Sequence, residues 1–179
     1  MPSMEPAEGR GDAPSRHGRP PSTTHHELER LGVEMFTRLG YAHTSVEQIA
    51  GGAGISRRTF FRYFPTKADV VWGSFAEEVE RLRSVLETAS DDVPMLTALR
   101  HAVVEFNRVA PEETEHHRAR LKLILGEPDL IARSMLKFAD WRQVVAEFAA
   151  HRLGQSPTDL LPQVVGEWAL GTAVAAYRH

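Results

Sequence analysis

Two arginines and two hydroxyl side chains open one short predicted helix, in the order Ser56, Arg57, Arg58, Thr59. A guanidinium can donate a fork of hydrogen bonds to O6 and N7 of guanine, and a serine or threonine hydroxyl can bond a base or a phosphate. Side chains at the start of a helix reach base edges when that helix lies in the major groove of B-DNA. The segment therefore predicts recognition of double-stranded DNA; the alternative is a surface helix with exposed arginines.

The flanking residues predict the elements that would position this helix. Thr44 and Glu47 have the spacing of a capping box, which starts a preceding helix. Gly54 can adopt the positive φ that a sharp turn between helices requires. Pro65 ends the second helix, because a proline disfavours helical geometry in the residue before it, and Thr66 caps a third. Two helices joined by a short turn predict a helix-turn-helix.

A continuous stretch across these helices resembles a family of bacterial regulators. Within residues 28–75, GVEMFTRLGYAHTSVEQIAGGAGISRRTFFRYFPTKADVV is similar to the DNA-binding domain of the tetracycline-repressor (TetR) family. The resemblance implies an all-α fold, with an N-terminal three-helix helix-turn-helix domain, a connecting helix, and a helical effector-binding and dimerisation domain. The predicted boundaries are 1–22 for a disordered leader, 23–69 for the DNA-binding domain and 70–179 for the effector-binding and dimerisation domain.

The same resemblance implies roles for individual residues. Side chains before the first helix of the motif would contact phosphates, the start of the second helix would face bases, and residues after it would hold the DNA backbone. Phe61 stands where the family usually has tyrosine, so its ring packing remains but the hydroxyl bond to phosphate is absent. The predicted DNA contacts are Thr44, Ser45, Ser56, Arg57, Arg58, Thr59, Phe61, Arg62, Tyr63 and Lys67.

Aromatic and aliphatic side chains recur at helical spacing in the second half of the chain, a pattern more often found in a core than in a pocket. The stretches RRTFFRYFPTKADVVWG and HRARLKLILGEPDLIARSMLKFADWR resemble, more specifically, the regulators associated with mycofactocin biosynthesis. That resemblance implies an apolar pocket and suggests a long-chain acyl-CoA as the effector, oriented by a few polar groups. The predicted pocket residues are Trp72, His101, Phe106, Asn107, Arg120, Phe138 and Trp141.

Helical periodicity continues to the end of the sequence, with neither strand alternation nor an internal repeat. The first helix is predicted to begin near Thr23 or Thr24 and to end at Gly40, and Gly32 in its middle predicts close packing against the next helices. Later helices are predicted from Thr66 to Thr88, after a cap at Asp92, from Pro111, from Leu130 to Arg152, and from Thr158 onward.

Small residues dominate the last predicted helix and allow another helix to approach closely. They predict either packing within the chain or a two-fold interface between copies. The TetR resemblance favours the interface, because a dimer reads two half-sites related by its own symmetry. The sequence reaches His179 without a helix stop signal, so a further interface helix beyond it and a short protein both stay open. The predicted interface residues are Trp168, Ala169, Thr172 and Ala176.

Composition and charge narrow the class of protein. Hydrophobic content of 42% and charged content of 25% over 179 residues are ordinary for a globular protein. The absence of cysteine excludes disulfides and thiolate metal sites. Residues 1–73 hold nine Lys/Arg and eight Asp/Glu (+1), and residues 74–179 hold twelve and sixteen (−4), which together give the net charge of −3. We therefore expect DNA affinity to come from a few placed contacts.

The first 22 residues are rich in proline and glycine and carry hardly any apolar side chains, so they predict a solvated leader. The alternative is an arm whose arginines, Arg10, Arg16 and Arg19, reach the minor groove. No apolar run is long enough to span a bilayer and no signal peptide is recognisable, so the predicted location is the cytoplasm, with no membrane partner.

Enzymatic activity finds no support in the sequence. Glu112 and His116 would share a helix face, but no third metal ligand is identifiable, and a solvated charged face is the simpler reading. We predict neither catalytic residues nor a cofactor. The predicted function is a homodimeric repressor that binds a palindromic operator and is released by a small apolar effector. A helical protein–protein interaction module without DNA binding is the alternative.

Overall fold

The computed structural model describes residues 24–178, and every regular element in that range is helical, which confirms the all-α prediction. The predictions for the leader and its arginines, and for His179, lie outside the described residues. We call residues 24–72 the head and residues 75–178 the body. The helices are α1 (His25–Leu39), α2 (Val46–Gly52), α3 (Arg57–Tyr63), α4 (Phe75–Glu87), α5 (Met95–Phe106), α6 (Thr114–Gly126), α7 (Pro128–Leu153) and α8 (Leu160–Arg178), with 3-10 helices at Lys67–Trp72 and Pro111–Glu113.

Helix α1 supports the head. It begins after Thr24, whose hydroxyl caps it by accepting a hydrogen bond from the backbone N–H of Glu27 at 3.1 Å. It ends at Gly40, where φ is 89°. A Cβ added at Gly32 would lie 2.4 Å from Cγ1 of Val70, so the predicted close packing is confirmed. The missing side chain lets the 3-10 helix of the head lie directly on α1.

Helix α2 is capped one residue later than predicted. The hydroxyl of Ser45 accepts from the backbone N–H of Gln48 at 3.2 Å, and the side-chain oxygen of Gln48 accepts from the N–H of Ser45 at 2.7 Å. Thr44 is 1% exposed and donates its hydroxyl to the carbonyl of Gly40 at 2.9 Å. The predicted cap at Thr44 is therefore wrong, because burial commits that hydroxyl to the loop before α2.

The turn and the start of α3 follow the prediction. Gly54 has a φ of 67°, and the hydroxyl of Ser56 accepts from the backbone N–H of Thr59 at 3.0 Å. Phe60 is fully buried and anchors α3 on the core of the head. Phe64 takes extended geometry before the proline, which ends the helix. These features place the start of α3 at the surface.

One long helix from Thr66 to Thr88 does not form. The chain makes a 3-10 helix, breaks at Gly73 with φ 41° and ψ −118°, and resumes as α4 at Phe75. A Cβ at Gly73 would lie 2.4 Å from the carboxyl carbon of Glu29. The prediction of a continuous lever is wrong, since the chain turns away to leave room for a carboxylate of α1.

Helix α5 begins later than predicted and is not capped by Asp92. Pro94 precedes its first residue, Met95, and Asp92 lies in the turn before it. The guanidinium of Arg152 on α7 holds this turn by donating to the backbone carbonyls of residues 89, 90, 91 and 93, at 2.7 to 3.3 Å. This one side chain therefore supplies hydrogen-bond donors to four backbone carbonyls of the turn before α5.

Helices α7 and α8 pack against each other along the body. A Cβ at Gly166 would lie 2.9 Å from the backbone oxygen of Arg142, and Ala169 is 7% exposed, so these small residues serve packing within the chain. Both helices also carry exposed apolar side chains: Ile131, Met135 and Leu136 on α7, and Leu160, Leu161, Val164 and Trp168 on α8. No helix within residues 24–178 is both long and apolar enough to cross a membrane.

Candidate functional site

The outer surface of α3 presents its first arginine in an ordered position. Nε of Arg57 lies 3.2 Å from Oε1 of Glu47 on α2, and its guanidinium carbon lies 5.4 Å from the ring centroid of Phe61. Both partners of the ion pair are largely exposed, at 65% and 58%. A hydrogen bond from its own backbone, and then the charge of Arg57, lower the pKa of Glu47. Because exposed pairs contribute little free energy, a nucleic acid can replace this one.

The hydroxyls beside Arg57 have capping roles that fix their positions. Oγ of Ser56 lies 2.9 Å from Oγ1 of Thr59 and also accepts the Thr59 backbone N–H. Arg58 is exposed at the start of the same helix. Arg62 packs its guanidinium 5.5 Å from the ring centroid of Tyr63, which is half-buried. The structure thus gathers the predicted residues of α3 on one end of the head.

Two other predicted DNA contacts have interior roles. The buried hydroxyl of Thr44 faces the loop, so it cannot meet a phosphate, and Ser45 is the exposed hydroxyl of that pair. Nζ of Lys67 donates to the carbonyls of Tyr41 and Thr44, at 2.8 and 3.1 Å, and lies 4.1 Å from the ring centroid of Tyr41. Lys67 therefore ties the loop between α1 and α2 to the 3-10 helix.

The body encloses a small cavity of about 50 Å³ beside the head. Its apolar wall is a set of rings in edge-to-face contact: Trp72 with Phe138 at 5.6 Å, and Phe75 with Phe106 at 6.0 Å between centroids. Asn107 and Arg120 supply polar groups, as predicted for an effector pocket. Three further polar lining residues, Glu78, His117 and Tyr177, were not predicted from the sequence.

Two predicted pocket residues lie elsewhere. The side chain of His101 is 68% exposed on α5 and lies 3.9 Å from Glu105, so its assignment to the pocket is wrong. Trp141 is 2% exposed and stacks its edge on Phe106 at 6.2 Å between centroids, behind the cavity wall. Trp141 therefore supports the rings that line the cavity.

A buried charge cluster joins the cavity to the head. Nη1 of Arg120 lies 3.4 Å from Oε1 of Glu29 on α1, and Nη2 lies 3.5 Å from Oε2 of Glu78 on α4. Burial would raise the pKa of Glu29, but the imidazole of His116, 3.7 Å away, and the charge of Arg120 outweigh burial and lower that pKa. His116 is thus turned inward, unlike the solvated face predicted for it.

The neighbouring histidine and tyrosine complete the polar end of the cavity. Burial, and then the positive charge of Arg120, lower the pKa of His117 from 6.5 to about 4, so this imidazole is neutral at neutral pH. Burial raises the pKa of Tyr177, whose hydroxyl donates to the side-chain oxygen of Asn107. Tyr177 thereby links the end of α8 to the end of α5 across the cavity.

A helix-turn-helix head on an all-helical body with an internal apolar cavity is the architecture of a one-component transcriptional regulator. Residues 30–71 match the family described as bacterial regulatory proteins, tetR family, and residues 93–179 match the MftR C-terminal domain. The chain belongs to the TetR family of DNA-binding transcriptional regulators, which are not enzymes, and carries an MftR-type body.

Individual relatives agree with this assignment. The chain is 41% identical over 165 residues to the mycofactocin biosynthesis transcriptional regulator MftR of Mycobacterium tuberculosis (strain ATCC 25618 / H37Rv), covering 92% of this chain and 83% of the relative. Among solved structures, Salmonella enterica GusR superposes with a TM-score of 0.60 at 17% identity, over 90% of this chain and 85% of that one. AibR, solved in complex with isovaleryl coenzyme A and operator DNA, has a TM-score of 0.51 at 15% identity, over 87% and 86%.

Proposed function

We propose that this protein is a homodimeric repressor that binds a palindromic operator through α3 and leaves it when an acyl-CoA enters the body. The observation that carries the proposal is the outer end of α3, where Arg57 and Arg58 are exposed above the fully buried Phe60. Because the buried Phe60 fixes α3 on the core of the head, the first turn of α3 has one orientation, as base readout in a major groove requires. The proposed location of the protein is the bacterial cytoplasm, where the DNA is.

In the proposed complex, Arg57, Arg58 and Thr59 face base edges, and Ser45 and Ser56 face phosphates. Arg57 exchanges Glu47 for the DNA. Arg62, Tyr63 and Lys67 hold the backbone on the other side of α3, and the ring of Phe61 packs against sugar and phosphate. Lys67 does so with the part of its ammonium group that does not bind the loop carbonyls.

The proposed dimer uses the outer face of α7 and α8. Trp168 is 58% exposed and stands with Leu161 and Val164, at 48% and 50%, on one continuous apolar surface. Contiguous exposed apolar surface of this kind marks an interaction site. Thr172 and Ala176 are exposed further along α8 and extend that surface, whereas Ala169 faces α7. A two-fold pairing there would give two copies of α3 for the two half-sites.

The proposed effector is an acyl-CoA whose acyl chain enters the aromatic cavity. Small-molecule pockets usually measure roughly 300–1,000 Å³, so the cavity of about 50 Å³ can hold an acyl chain only if its walls move. An entering acyl chain must separate the rings of Trp72, Phe75, Phe106 and Phe138. Phe75 is the first residue of α4, so its displacement would be passed to that helix. A ligand that binds only the opened state shifts the equilibrium towards it and moves α4. The isovaleryl coenzyme A complex of AibR supports this class of ligand.

Selection of bound duplexes from a random DNA library tests the proposal, and a palindromic consensus is the expected result. In gel shifts at fixed salt, the double variant Arg57→Ala/Arg58→Ala is expected to lose binding by at least about 100-fold, since each bidentate base contact contributes about 1–3 kcal/mol. Arg81→Ala/Arg100→Ala removes the same charge from exposed positions of the body and is the matched control. Equal losses in the two variants would contradict readout by α3.

A further inference from the structure

Two buried nitrogen donors at the cavity lack a hydrogen-bond partner among the described residues: Nε of Arg120 and Nε1 of Trp72. Both residues line the cavity, and Arg120 and Trp72 are only 8% and 2% exposed. Buried N–H groups in folded proteins almost always have an acceptor, and an unsatisfied one destabilises the fold. Two such donors on one cavity indicate a ligand that brings an oxygen acceptor.

The geometry of Arg120 shows which edge of the guanidinium is open. Nη1 faces Glu29 at 3.4 Å, while Nη2 is shared between Glu78 at 3.5 Å and Nδ1 of His117 at 3.4 Å. All three contacts lie at the long limit for a hydrogen bond. Nε, which shares the side-on edge with Nη2, has no acceptor among the described residues. An oxygen placed on this edge would form the first short hydrogen bond of the guanidinium.

The charges around this edge favour a neutral acceptor. Glu29 and Glu78 place two carboxylates around the guanidinium of Arg120; the imidazole of His116 lies 3.7 Å from Glu29, and His117 is neutral at neutral pH. A ligand carboxylate at the same place would face two carboxylates with one shared counter-ion, in surroundings that desolvate it. A carbonyl oxygen can accept from Nε without adding charge.

We propose that Arg120 is the acyl-recognition residue of the cavity: its Nε–H donates to the carbonyl oxygen of a thioester whose alkyl chain lies among the four aromatic rings. Trp72 Nε1 is a second donor without a partner on a residue that lines the cavity. This inference rests on the proposed acyl-CoA effector and specifies how its acyl group is bound. The same guanidinium contacts α1 through Glu29 and α4 through Glu78, so a carbonyl that draws it into the cavity also changes both contacts.

Two coenzyme A derivatives test this assignment on the full-length protein. Hexadecanoyl-CoA and its thioether analogue S-hexadecyl-CoA have the same chain length and headgroup and differ by the carbonyl oxygen. We expect the thioester to bind about tenfold more tightly by calorimetry, the effect of one charge-assisted hydrogen bond. Hexadecanoate is expected to bind more weakly than the thioester. In Arg120→Lys, which keeps a cation between the carboxylates but has no donor at the Nε position, the preference for the thioester is expected to fall below about twofold.

A second measurement on the unaltered protein covers the case in which Arg120→Lys does not fold. With a 13C-labelled thioester carbonyl, the infrared carbonyl band of the bound ligand is expected at lower frequency than in an apolar solvent. Equal affinity for thioester and thioether, an unshifted band, or a preference that persists in a folded Arg120→Lys would overturn the assignment and leave the acyl-CoA effector standing. Failure of both derivatives to bind would overturn the effector and this assignment together.

Discussion

Arg120 on α6 and Glu29 on α1 form a buried ion pair between the body and the head, with 3.4 Å between Nη1 and Oε1 and side-chain exposures of 10% and 5%. Breaking a buried pair by removing one partner is costly, because the other charge remains without compensation. The pair therefore ties α6, at the aromatic cavity, to α1 of the head.

Glu29→Gln keeps the size of the side chain and removes its charge. We expect the free energy of unfolding in urea to fall by about 2 kcal/mol, because Arg120 loses one of its two carboxylates in a buried site. We also expect a weaker response of DNA affinity to the effector. Glu34→Gln on the same helix is the control, since Glu34 is 67% exposed and its pair with Arg38 contributes little. Equal stability of the two variants would contradict the role of the pair.

His117 makes stability depend on pH. Its pKa falls from 6.5 to about 4 on folding, so between these values the unfolded chain binds more protons and stability is lost as pH decreases. After allowance for solvent screening, we expect this group to remove about 2 kcal/mol from the free energy of unfolding between pH 6.5 and 4. His117→Gln should lack that part of the decline in urea titrations. His101→Gln, at an exposed histidine, should retain it.

In the proposed complex, Glu47 competes with DNA for Arg57. Glu47→Gln removes the carboxylate that lies 3.2 Å from Nε of Arg57 and that would repel a phosphate. We expect DNA affinity to rise by about two- to fivefold at low salt, in line with the energy of an exposed ion pair. The gain should shrink as salt is added. Glu115→Gln in the body is the matched control for net charge, and an equal gain there would assign the effect to overall charge.

Gly73 accepts a backbone geometry that a side chain would oppose. Its φ is 41°, and a Cβ there would lie 2.4 Å from the Glu29 carboxylate. Gly73→Ala should therefore lower the free energy of unfolding by about 2–4 kcal/mol and displace Glu29 from Arg120. At Gly51, near the end of α2, no atom lies within 4 Å of an added Cβ. Gly51→Ala is expected to leave the free energy of unfolding in urea unchanged or slightly higher.

Trp168 tests the proposed pairing of two copies. Trp168→Glu places a charge in the centre of the exposed apolar face of α8, and we expect a dimer to become a monomer by light scattering, with loss of affinity for a two-half-site duplex. Val104, 51% exposed on α5, offers a comparable apolar site outside that face, so Val104→Glu should leave the assembly unchanged. A monomeric wild-type protein would contradict the proposed interface.

Short sequence patterns predicted the fold well where a single residue determines a helix end or a turn. Gly54 and Ser56 each have the predicted role, because a cap or a positive φ depends on the few residues around it. Thr44 and Ser45 are both capping residues with a suitable partner three positions later, so only burial of the Thr44 side chain separates them.

Long-range packing determined what the sequence could not show. The break at Gly73 depends on Glu29, which is distant in the chain and close in space. The sequence does not distinguish His101 from His117 as a pocket residue. The packing of the helices exposes His101 on α5 to solvent and places His117 on α6 at the cavity. The family resemblance implied Trp72, Phe106 and Phe138 as pocket residues, whereas the positions of Glu78 and Tyr177 depend on how helices distant in the chain pack together.

The small free volume between the aromatic rings affects the effector concentration at which the proposed regulator would respond. A ligand can enter only during the brief intervals when those rings separate, and its apparent affinity is reduced by the fraction of time they spend apart. In the proposed mechanism, traces of an acyl thioester would therefore leave the protein on its operator. Sustained accumulation would be needed before the promoter is relieved, so the tight interior acts as a threshold filter.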